Sequence, residues 1–117
     1  MTAIDPTAER NARAHQYLQE GRDDLAIPLF EEVLAERVRV LGADHPHTLA
    51  SRNNLAGAYW AVGRLDEAIT LFKDTLKVCE DILSPGHTLT IQVRKNLETL
   101  ERETNQSPAS SPESSEE

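Results

Sequence analysis

The chain has few of the residues that usually define small stable domains: one cysteine, one tryptophan, two tyrosines and two phenylalanines among 117 residues. Its interior must therefore be built mostly from aliphatic side chains. Cys79 has no second cysteine to pair with, which excludes an internal disulfide. No apolar run is long enough to span a bilayer, and the first residues lack the basic and apolar segments of a signal peptide. These absences predict a cytoplasmic protein.

Basic residues are also scarce: the chain has 12 Lys and Arg and 20 Asp and Glu, which gives a formal net charge of -8. An acidic chain repels phosphate groups, so we expect neither nucleic acid nor an anionic membrane as a partner. Residues 104–117 contain Glu113, Glu116 and Glu117 among Ser and Pro and lack large apolar side chains. Such a segment cannot bury enough surface to fold, so we predict a disordered acidic tail there.

What the chain does have is an internal repeat. The segment that begins Gly21-Arg22-Asp23-Asp24-Leu25-Ala26 is matched 42 residues later by Gly63-Arg64-Leu65-Asp66-Glu67-Ala68. The same offset relates Leu34 to Leu76, His45 to His87, Thr48 to Thr90, Arg52 to Arg94 and Asn54 to Asn96. A period of this length that holds without a gap is typical of a solenoid of stacked units.

Each period contains two helical patterns. Three-four spacing places Ala68, Phe72, Thr75, Leu76, Cys79, Ile82 and Leu83 on one helix face. Gly21 and Gly63 can end helices, Asp24 and Asp66 can cap or charge helix N-termini, and Asp44-His45-Pro46 restarts the chain. The pattern predicts five helices, over about 6–20, 24–41, 46–62, 66–83 and 88–103, with ends uncertain by ~2–4 residues.

Two further positions carry structural expectations. Pro28 falls near the first turn of the second predicted helix, where a proline costs little. Arginine recurs with the repeat, at Arg22 and Arg64 and again at Arg52 and Arg94. This recurrence predicts a structural role, as ion pairs with the many acidic side chains.

The repeat resembles the tetratricopeptide repeat, in the long-period form found in kinesin light chains and in many bacterial regulators. The resemblance rests on the segments Asn53-Asn54-Leu55-Ala56 and Leu41-Gly42-Ala43-Asp44-His45-Pro46, and on Tyr59, Gly63, Glu67-Ala68, Phe72 and Leu76. These signatures favour tetratricopeptide over HEAT repeats, which have a similar period.

The resemblance implies an all-α fold, an α-solenoid of two helix hairpins followed by a capping helix. Repeat 1 would cover about residues 6–45, repeat 2 about 46–87, and the capping helix 88–103. Polar residues at both ends of this array (Glu9, Arg13, Gln16 and Glu20 at one, Glu98 and Glu101 at the other) predict a unit that needs no further repeat on either side.

In this family the first helices of the repeats line a concave groove that binds peptides. By resemblance the groove would hold the site residues Asn11, His15, Asn53, Asn54, Trp60, Lys95 and Asn96, with Gly57 and Arg102 nearby. An Asn amide both donates and accepts, so it can pair with a peptide backbone of any sequence. Two alternatives stay open: Asn54 and Asn96 can instead tie adjacent helices together, and Trp60 can be partly buried packing.

Other chemistries find little support in the residues. No phosphate loop, Ser/His/Asp grouping or pair of carboxylates in an apolar pocket is present, so we expect no catalytic residues, no cofactor and no enzyme. Some tetratricopeptide domains clamp the C-terminal carboxylate of chaperones with cations, which the resemblance would place at Asn11, Gln92 and Asn96, and none of these three residues is a cation. His45, His47, His87 and Asp44 are explained by the repeat, so we predict no metal site.

The sequence thus predicts a non-catalytic adaptor or regulator that binds a protein or peptide segment in a helical groove. A self-associating structural module and a regulatory subunit of a signalling ATPase remain as alternatives. Because the two ends of the array are charged, we expect a monomer rather than a homodimer.

Overall fold

The computed structural model describes residues 6–105, which form five helices joined by short turns. They are α1 (Pro6–Gln19), α2 (Asp23–Leu41), α3 (Pro46–Ala61), α4 (Leu65–Ile82) and α5 (Thr88–Asn105). All five predicted helices are confirmed, with ends that differ by at most two residues. Thr104 and Asn105 belong to α5, so the predicted disordered tail was placed two residues too early. The rest of that tail, residues 106–117, lies outside the described residues.

Each helix packs against the next along the chain, so that α1 with α2 and α3 with α4 form hairpins and α5 lies against α4 and α3. The fold is therefore the all-α solenoid that the sequence predicted. None of the helices within residues 6–105 is both long and apolar enough to cross a membrane.

The hairpin turns are built alike in both repeats. Gly21 and Gly63 have φ angles of 77° and 88°, a backbone conformation that glycine adopts without strain. After each glycine an arginine N–H returns to the carbonyl of a tyrosine, at 2.8 Å for both Arg22 to Tyr17 and Arg64 to Tyr59. This bond closes the last helical turn and satisfies a carbonyl that the helix leaves free.

Histidine caps the N-termini of α3 and α5. The Nδ1 atom of His45 accepts a bond from the His47 N–H at 3.0 Å, and that of His87 accepts one from the Leu89 N–H at 3.1 Å. Pro46 is the first residue of α3, where its missing N–H has no partner to lose. The predicted turn roles of the two histidines are confirmed.

At the N-termini of α2 and α4, no side chain in the described part of the chain makes a capping hydrogen bond. The N-cap residues are Arg22 and Arg64, while Asp24 and Asp66 lie in the first turns. These carboxylates therefore act on the helix dipole by their charge.

Within residues 6–105, two hydrophobic clusters form the core, one on either side of α3. The first-hairpin cluster joins α1 and α2 to one face of α3: Ala14, Ala26, Ile27, Phe30, Leu55 and Ala58. The second cluster joins the other face of α3 to α4 and α5: Leu49, Ala56, Ala68, Phe72, Cys79, Val93, Leu97 and Leu100. Tyr59 and Leu71 pack against both clusters, so the two hairpins share one continuous interior.

Polar side chains also tie the repeats together inside. Thr48 and Thr90 are fully buried, and their hydroxyls donate to the carbonyls of Arg37 (3.3 Å) and Cys79 (3.5 Å). Cys79 is itself buried, and burial raises the pKa of its thiol. A protonated thiol in such surroundings is a weak nucleophile.

Pro28 departs from its predicted position. It is the sixth residue of α2 and lies beyond the first turn. Proline has no N–H to donate, so the carbonyl of Asp24, four residues earlier, loses its usual partner in the helix. The helix continues to Leu41 regardless, because packing of its buried face holds it together.

Candidate functional site

The predicted groove residues lie on α1, α3 and α5, and two hydrogen bonds link these helices side by side. Asn54 donates through its Nδ2 atom to Oδ1 of Asn11 at 3.4 Å, and Asn96 donates in the same way to Asn53 at 3.1 Å. Each bond joins one helix to the corresponding helix of the neighbouring repeat. The alternative that these residues tie adjacent helices together is thus realised in the structure.

The same two bonds leave part of each amide available. Within residues 6–105, no hydrogen bond engages the Oδ1 atoms of Asn54 and Asn96 or the Nδ2 atom of Asn11. These three residues are half-buried and Asn53 is buried, so Asn53 is the member least able to reach a ligand. An amide held by one bond presents its remaining donor or acceptor in a fixed direction.

Trp60 lies near the end of α3 and belongs to the packing as well as to the surface. Its ring meets that of Phe72 edge-on, with centroids 6.2 Å apart. Its indole N–H donates to Glu103 of α5 at 3.1 Å. The N–H is therefore already bonded, and what Trp60 offers to a ligand is the exposed part of its ring.

His15 and Lys95 are exposed at the two sides of this face, on α1 and α5. The rings of His15 and Phe30 pack edge to face, with centroids 4.9 Å apart and ring planes at 81°. The part of the His15 ring that lies against its neighbours is shielded from water, and this partial desolvation lowers the pKa of His15, which favours the neutral imidazole. We name the surface formed by Asn11, His15, Asn53, Asn54, Trp60, Lys95 and Asn96 the α1–α3–α5 surface.

The described residues offer no convergent metal ligands. His45 and His47 stack on each other with centroids 5.2 Å apart, but no group of three His, Cys, Asp or Glu side chains within residues 6–105 could hold an ion.

The recurring arginines make a contact that the sequence reasoning missed. Arg22 lies over the ring of Tyr17 at 5.5 Å from its centroid, and Arg64 over the ring of Tyr59 at 4.5 Å. Such cation–π contacts stabilise the turn without a carboxylate. The signal was present, because both the arginine and the tyrosine recur at the 42-residue offset.

The predicted ion pairs are right for two of the four arginines. Arg64 contacts both carboxylate oxygens of Glu67 at 2.6 and 2.7 Å, and this bond lowers the pKa of Glu67. Arg94 contacts Glu80 at 3.0 Å. Arg22 and Arg52 form no ion pair within residues 6–105, so the prediction is wrong for them.

Comparison with known proteins settles the family. A model of the tetratricopeptide repeat matches residues 6–81 and again residues 52–111. The chain belongs to the tetratricopeptide repeat family. Among curated protein sequences no match is found.

Two solved structures show the same arrangement of tetratricopeptide helices. Both are of a Podosopora anserina protein with nearly identical TPR-like repeats of the kinesin light chain type, one of them carrying a Gln-to-Met change. Each is 27% identical to this chain, with a TM-score of 0.78. The alignments cover 89% and 90% of this chain and 50% of those chains, so this chain spans about half their length.

Four clefts formed by residues 6–105 of this tetratricopeptide chain are lined by other residues than those of the α1–α3–α5 surface. A cleft of about 440 Å³ at the junction of α3 and α4 is lined by Leu55, Tyr59, Asp66, Glu67, Thr70, Leu71 and Asp74. We name it the junction cleft. Sequence reasoning did not find it, because its walls come from two helices whose relative placement no single periodicity encodes.

Proposed function

We propose that this tetratricopeptide chain binds a protein or peptide segment along the α1–α3–α5 surface and acts as a non-catalytic adaptor or regulator. Tetratricopeptide repeats generally mediate protein–protein interactions, and the fold belongs to that family. The observation that carries the choice of surface is the pair of Asn–Asn bonds across α1, α3 and α5.

The Asn–Asn bonds support binding because they orient the amides before a ligand arrives. Side chains that are already held lose little rotamer freedom on binding, so less of the interaction energy is spent on ordering them. The remaining amide atoms of Asn11, Asn54 and Asn96 lie on neighbouring helices and suit the alternating donors and acceptors of an extended backbone.

The edges of this surface supply the other contacts. The partly exposed ring of Trp60 can pack against an apolar side chain, and aromatic residues of this kind often dominate binding energy. Lys95 is exposed and forms no ion pair within residues 6–105, so it can meet a carboxylate of the partner. The proposed ligand is therefore a segment with an apolar residue and at least one acidic group.

Site-specific crosslinking in the native host tests this proposal. A photoreactive amino acid is placed at Lys95 on the α1–α3–α5 surface or, as a matched control, at Lys77, an exposed lysine of α4. We expect a discrete protein to be crosslinked from position 95 and not from position 77. Equal crosslinking from both positions, or from position 77 alone, would contradict the assignment of the surface.

The oligomeric state separates binding of another protein from self-association. We expect light scattering at micromolar concentration to give the mass of one 13.0 kDa chain. A stable dimer, combined with crosslinks of the chain to itself, would favour the alternative of a self-associating module.

A further inference from the structure

The junction cleft has a counterpart in the first hairpin, and the two differ in charge. A cleft of about 340 Å³, the first-hairpin cleft, is lined by Arg10, Arg13, Tyr17, Leu25, Pro28, Leu29 and Glu32. Six of these seven positions lie 42 residues before a lining residue of the junction cleft. The repeat has therefore built the same depression twice.

The floors of the two clefts share a tyrosine and a leucine, whereas Leu55 of the junction cleft has Arg13 as its counterpart. Tyr17 and Leu29 in the first-hairpin cleft correspond to Tyr59 and Leu71 in the junction cleft. Leu71 is half-buried against both core clusters, and Leu55 beside it is 5% exposed. An apolar floor of this size accepts an aliphatic or aromatic side chain and releases water from it.

The rims carry opposite charges. Arg10 and Arg13 stand at the first-hairpin cleft beside a single carboxylate, Glu32, which is 3.8 Å from Arg10. The junction cleft has Asp66, Glu67 and Asp74 instead.

The carboxylates of the junction cleft differ in how far they are already neutralised. Glu67 is paired with Arg64. Asp66 and Asp74 are exposed and form neither an ion pair nor a side-chain hydrogen bond within residues 6–105. Their negative charge is therefore available to a cationic group.

The acidic rim extends beyond the junction cleft. A neighbouring cleft of about 470 Å³ is lined by Asp23, Asp24, Ile27, Pro28, Glu31, Val62 and Arg64. The two clefts meet where the Tyr59 hydroxyl donates to Glu31 at 3.0 Å. Partial burial raises the pKa of Tyr59, and the hydrogen bond to Glu31 raises it further. Across both clefts the lining includes six carboxylates and one arginine, which favours an approaching cation.

The spacing of the free carboxylates sets the length of what can bind. Asp66 and Asp74 are eight residues apart on α4, which is about 12 Å along the helix axis. In an extended chain, residues i and i+4 are separated by about 13 Å. Residues i, i+2 and i+4 of such a chain point to the same side.

We propose that the junction cleft binds an extended peptide segment with a large apolar residue at its centre. One Lys or Arg lies two residues before this apolar residue, and another lies two residues after it. The apolar side chain enters the cleft over Leu55 and Leu71, and the two cations pair with Asp66 and Asp74. The first-hairpin cleft does not bind this segment, because its arginines repel it. This proposal is independent of the α1–α3–α5 surface.

An NMR titration tests the proposal with a defined probe. The full ¹⁵N-labelled chain is titrated with the peptide Ser-Lys-Ser-Leu-Ser-Lys-Ser. We expect the largest shift changes at Tyr59, Asp66, Thr70, Leu71 and Asp74. Shift changes confined to the first-hairpin cleft or to the α1–α3–α5 surface would overturn the proposal. The absence of saturable binding up to a peptide concentration of about 1 mM would also overturn it.

Two control peptides test the pattern. Ser-Lys-Lys-Ser-Leu-Ser-Ser has the same composition with the lysines moved together, and Ser-Lys-Ser-Gly-Ser-Lys-Ser lacks the apolar residue. Because the first control loses one of the two ion pairs and the second loses the apolar contact, we expect both to bind at least about threefold more weakly. Equal affinity for all three peptides would show that only net charge matters and would overturn the proposal.

A pair of double variants separates the cleft from the acidity of the whole chain. Asp66→Asn with Asp74→Asn removes the two free carboxylates, and we expect it to weaken binding by about fivefold at low salt. Asp81→Asn with Glu98→Gln changes the net charge equally at exposed positions outside the cleft, and we expect less than about a twofold effect. The same loss in both double variants would contradict the proposed site.

Discussion

The two helix hairpins, α1–α2 and α3–α4, share their internal contacts and differ on their surfaces. The arginine-over-tyrosine contact, the threonine-to-carbonyl bond, the histidine cap and the Asn–Asn bond all recur at the 42-residue offset. The positions that break the repeat include Pro28 against Thr70, Gly42 against Ser84, and the charges at the rims of the two clefts.

The repeat therefore preserves the contacts that hold one hairpin onto the next, while the other surface positions vary. A contact that recurs serves stacking, and the Asn–Asn bonds do so while one polar atom of the Asn11, Asn54 and Asn96 amides stays available to a ligand. A surface that differs at equivalent positions, such as the rim of the junction cleft, is not needed for stacking and is therefore a second candidate for recognition beside the α1–α3–α5 surface. Exchanging or removing equivalent residues in the two hairpins tests the distinction.

The largest effect is expected in the shared core. Phe30 and Phe72 occupy equivalent positions and are 1% and 0% exposed. Either change to Ala leaves a large cavity, so we expect each to lower the free energy of unfolding by about 3–5 kcal/mol. Urea denaturation followed by circular dichroism measures this. A loss below about 1.5 kcal/mol at one of the two sites would show that the hairpins are not packed equivalently.

The next effect concerns the sixth residue of α2 and α4. Thr70→Pro removes an N–H that the helix uses at this position, so we expect a loss of about 2–3 kcal/mol. Pro28→Ala restores the missing N–H in α2, and we expect a gain of about 1 kcal/mol, reduced because proline also stiffens the unfolded chain. Thermal melts of both variants measure the pair. A destabilised Pro28→Ala protein would indicate that α2 depends on the proline.

The turn after each hairpin offers a third exchange. Gly42 has φ 96°, and its counterpart Ser84 has φ 131°, a strained conformation for a residue with a Cβ atom. We expect Ser84→Gly to stabilise the chain by about 1 kcal/mol and Gly42→Ser to destabilise it by a similar amount. Chemical denaturation of the two single variants is sufficient. Effects of the same sign in both variants would contradict this explanation.

A smaller difference is expected between the two tyrosines. Tyr59 donates to Glu31, whereas the hydroxyl of Tyr17 makes no hydrogen bond within residues 6–105. We expect Tyr59→Phe to cost about 0.5–1 kcal/mol and Tyr17→Phe to cost close to nothing. If both variants unfold at the same urea concentration, the hydrogen bond from Tyr59 to Glu31 contributes no stability.

The smallest effect is a pH dependence at His15. Burial lowers its pKa in the folded state, so the unfolded chain binds the proton more readily. The contribution of His15 to stability is complete above about pH 6.5, the ordinary value, and is lost as the pH falls below it. We expect His15→Gln to lose less stability than the wild type between pH 7.5 and pH 5, as measured by urea midpoints. Identical losses would contradict the shift.

Much of this fold could be predicted from the sequence, because residues with the same structural role occur twice, at positions 42 residues apart. The helices, the turn glycines and the histidine caps all followed from residues that coincide at one offset. The position of Pro28 was misjudged, because a helix that starts at Asp23 has Pro28 as its sixth residue, beyond the first turn.

The candidate sites were less predictable. The sequence placed Asn54 and Asn96 on equivalent helices but left open whether they bond to a ligand or to an adjacent helix, and the structure shows the bonds to adjacent helices. The junction cleft could not be foreseen, because Leu55 and Leu71 form its floor only after α3 and α4 pack. Similarly, closure of the array at both ends stays a prediction, although Glu9, Arg13, Gln16, Glu20 and Glu98 are exposed.

Binding of the crosslinked partner to paired variants tests the central claim most directly. Isothermal titration calorimetry compares the wild type with His15→Ala/Lys95→Ala on the α1–α3–α5 surface and with Lys77→Ala on α4. We predict that the double variant His15→Ala/Lys95→Ala raises the dissociation constant by about tenfold and that Lys77→Ala changes it by less than about twofold. If Lys77→Ala is the more damaging change, the chain does not bind its partner through the α1–α3–α5 surface.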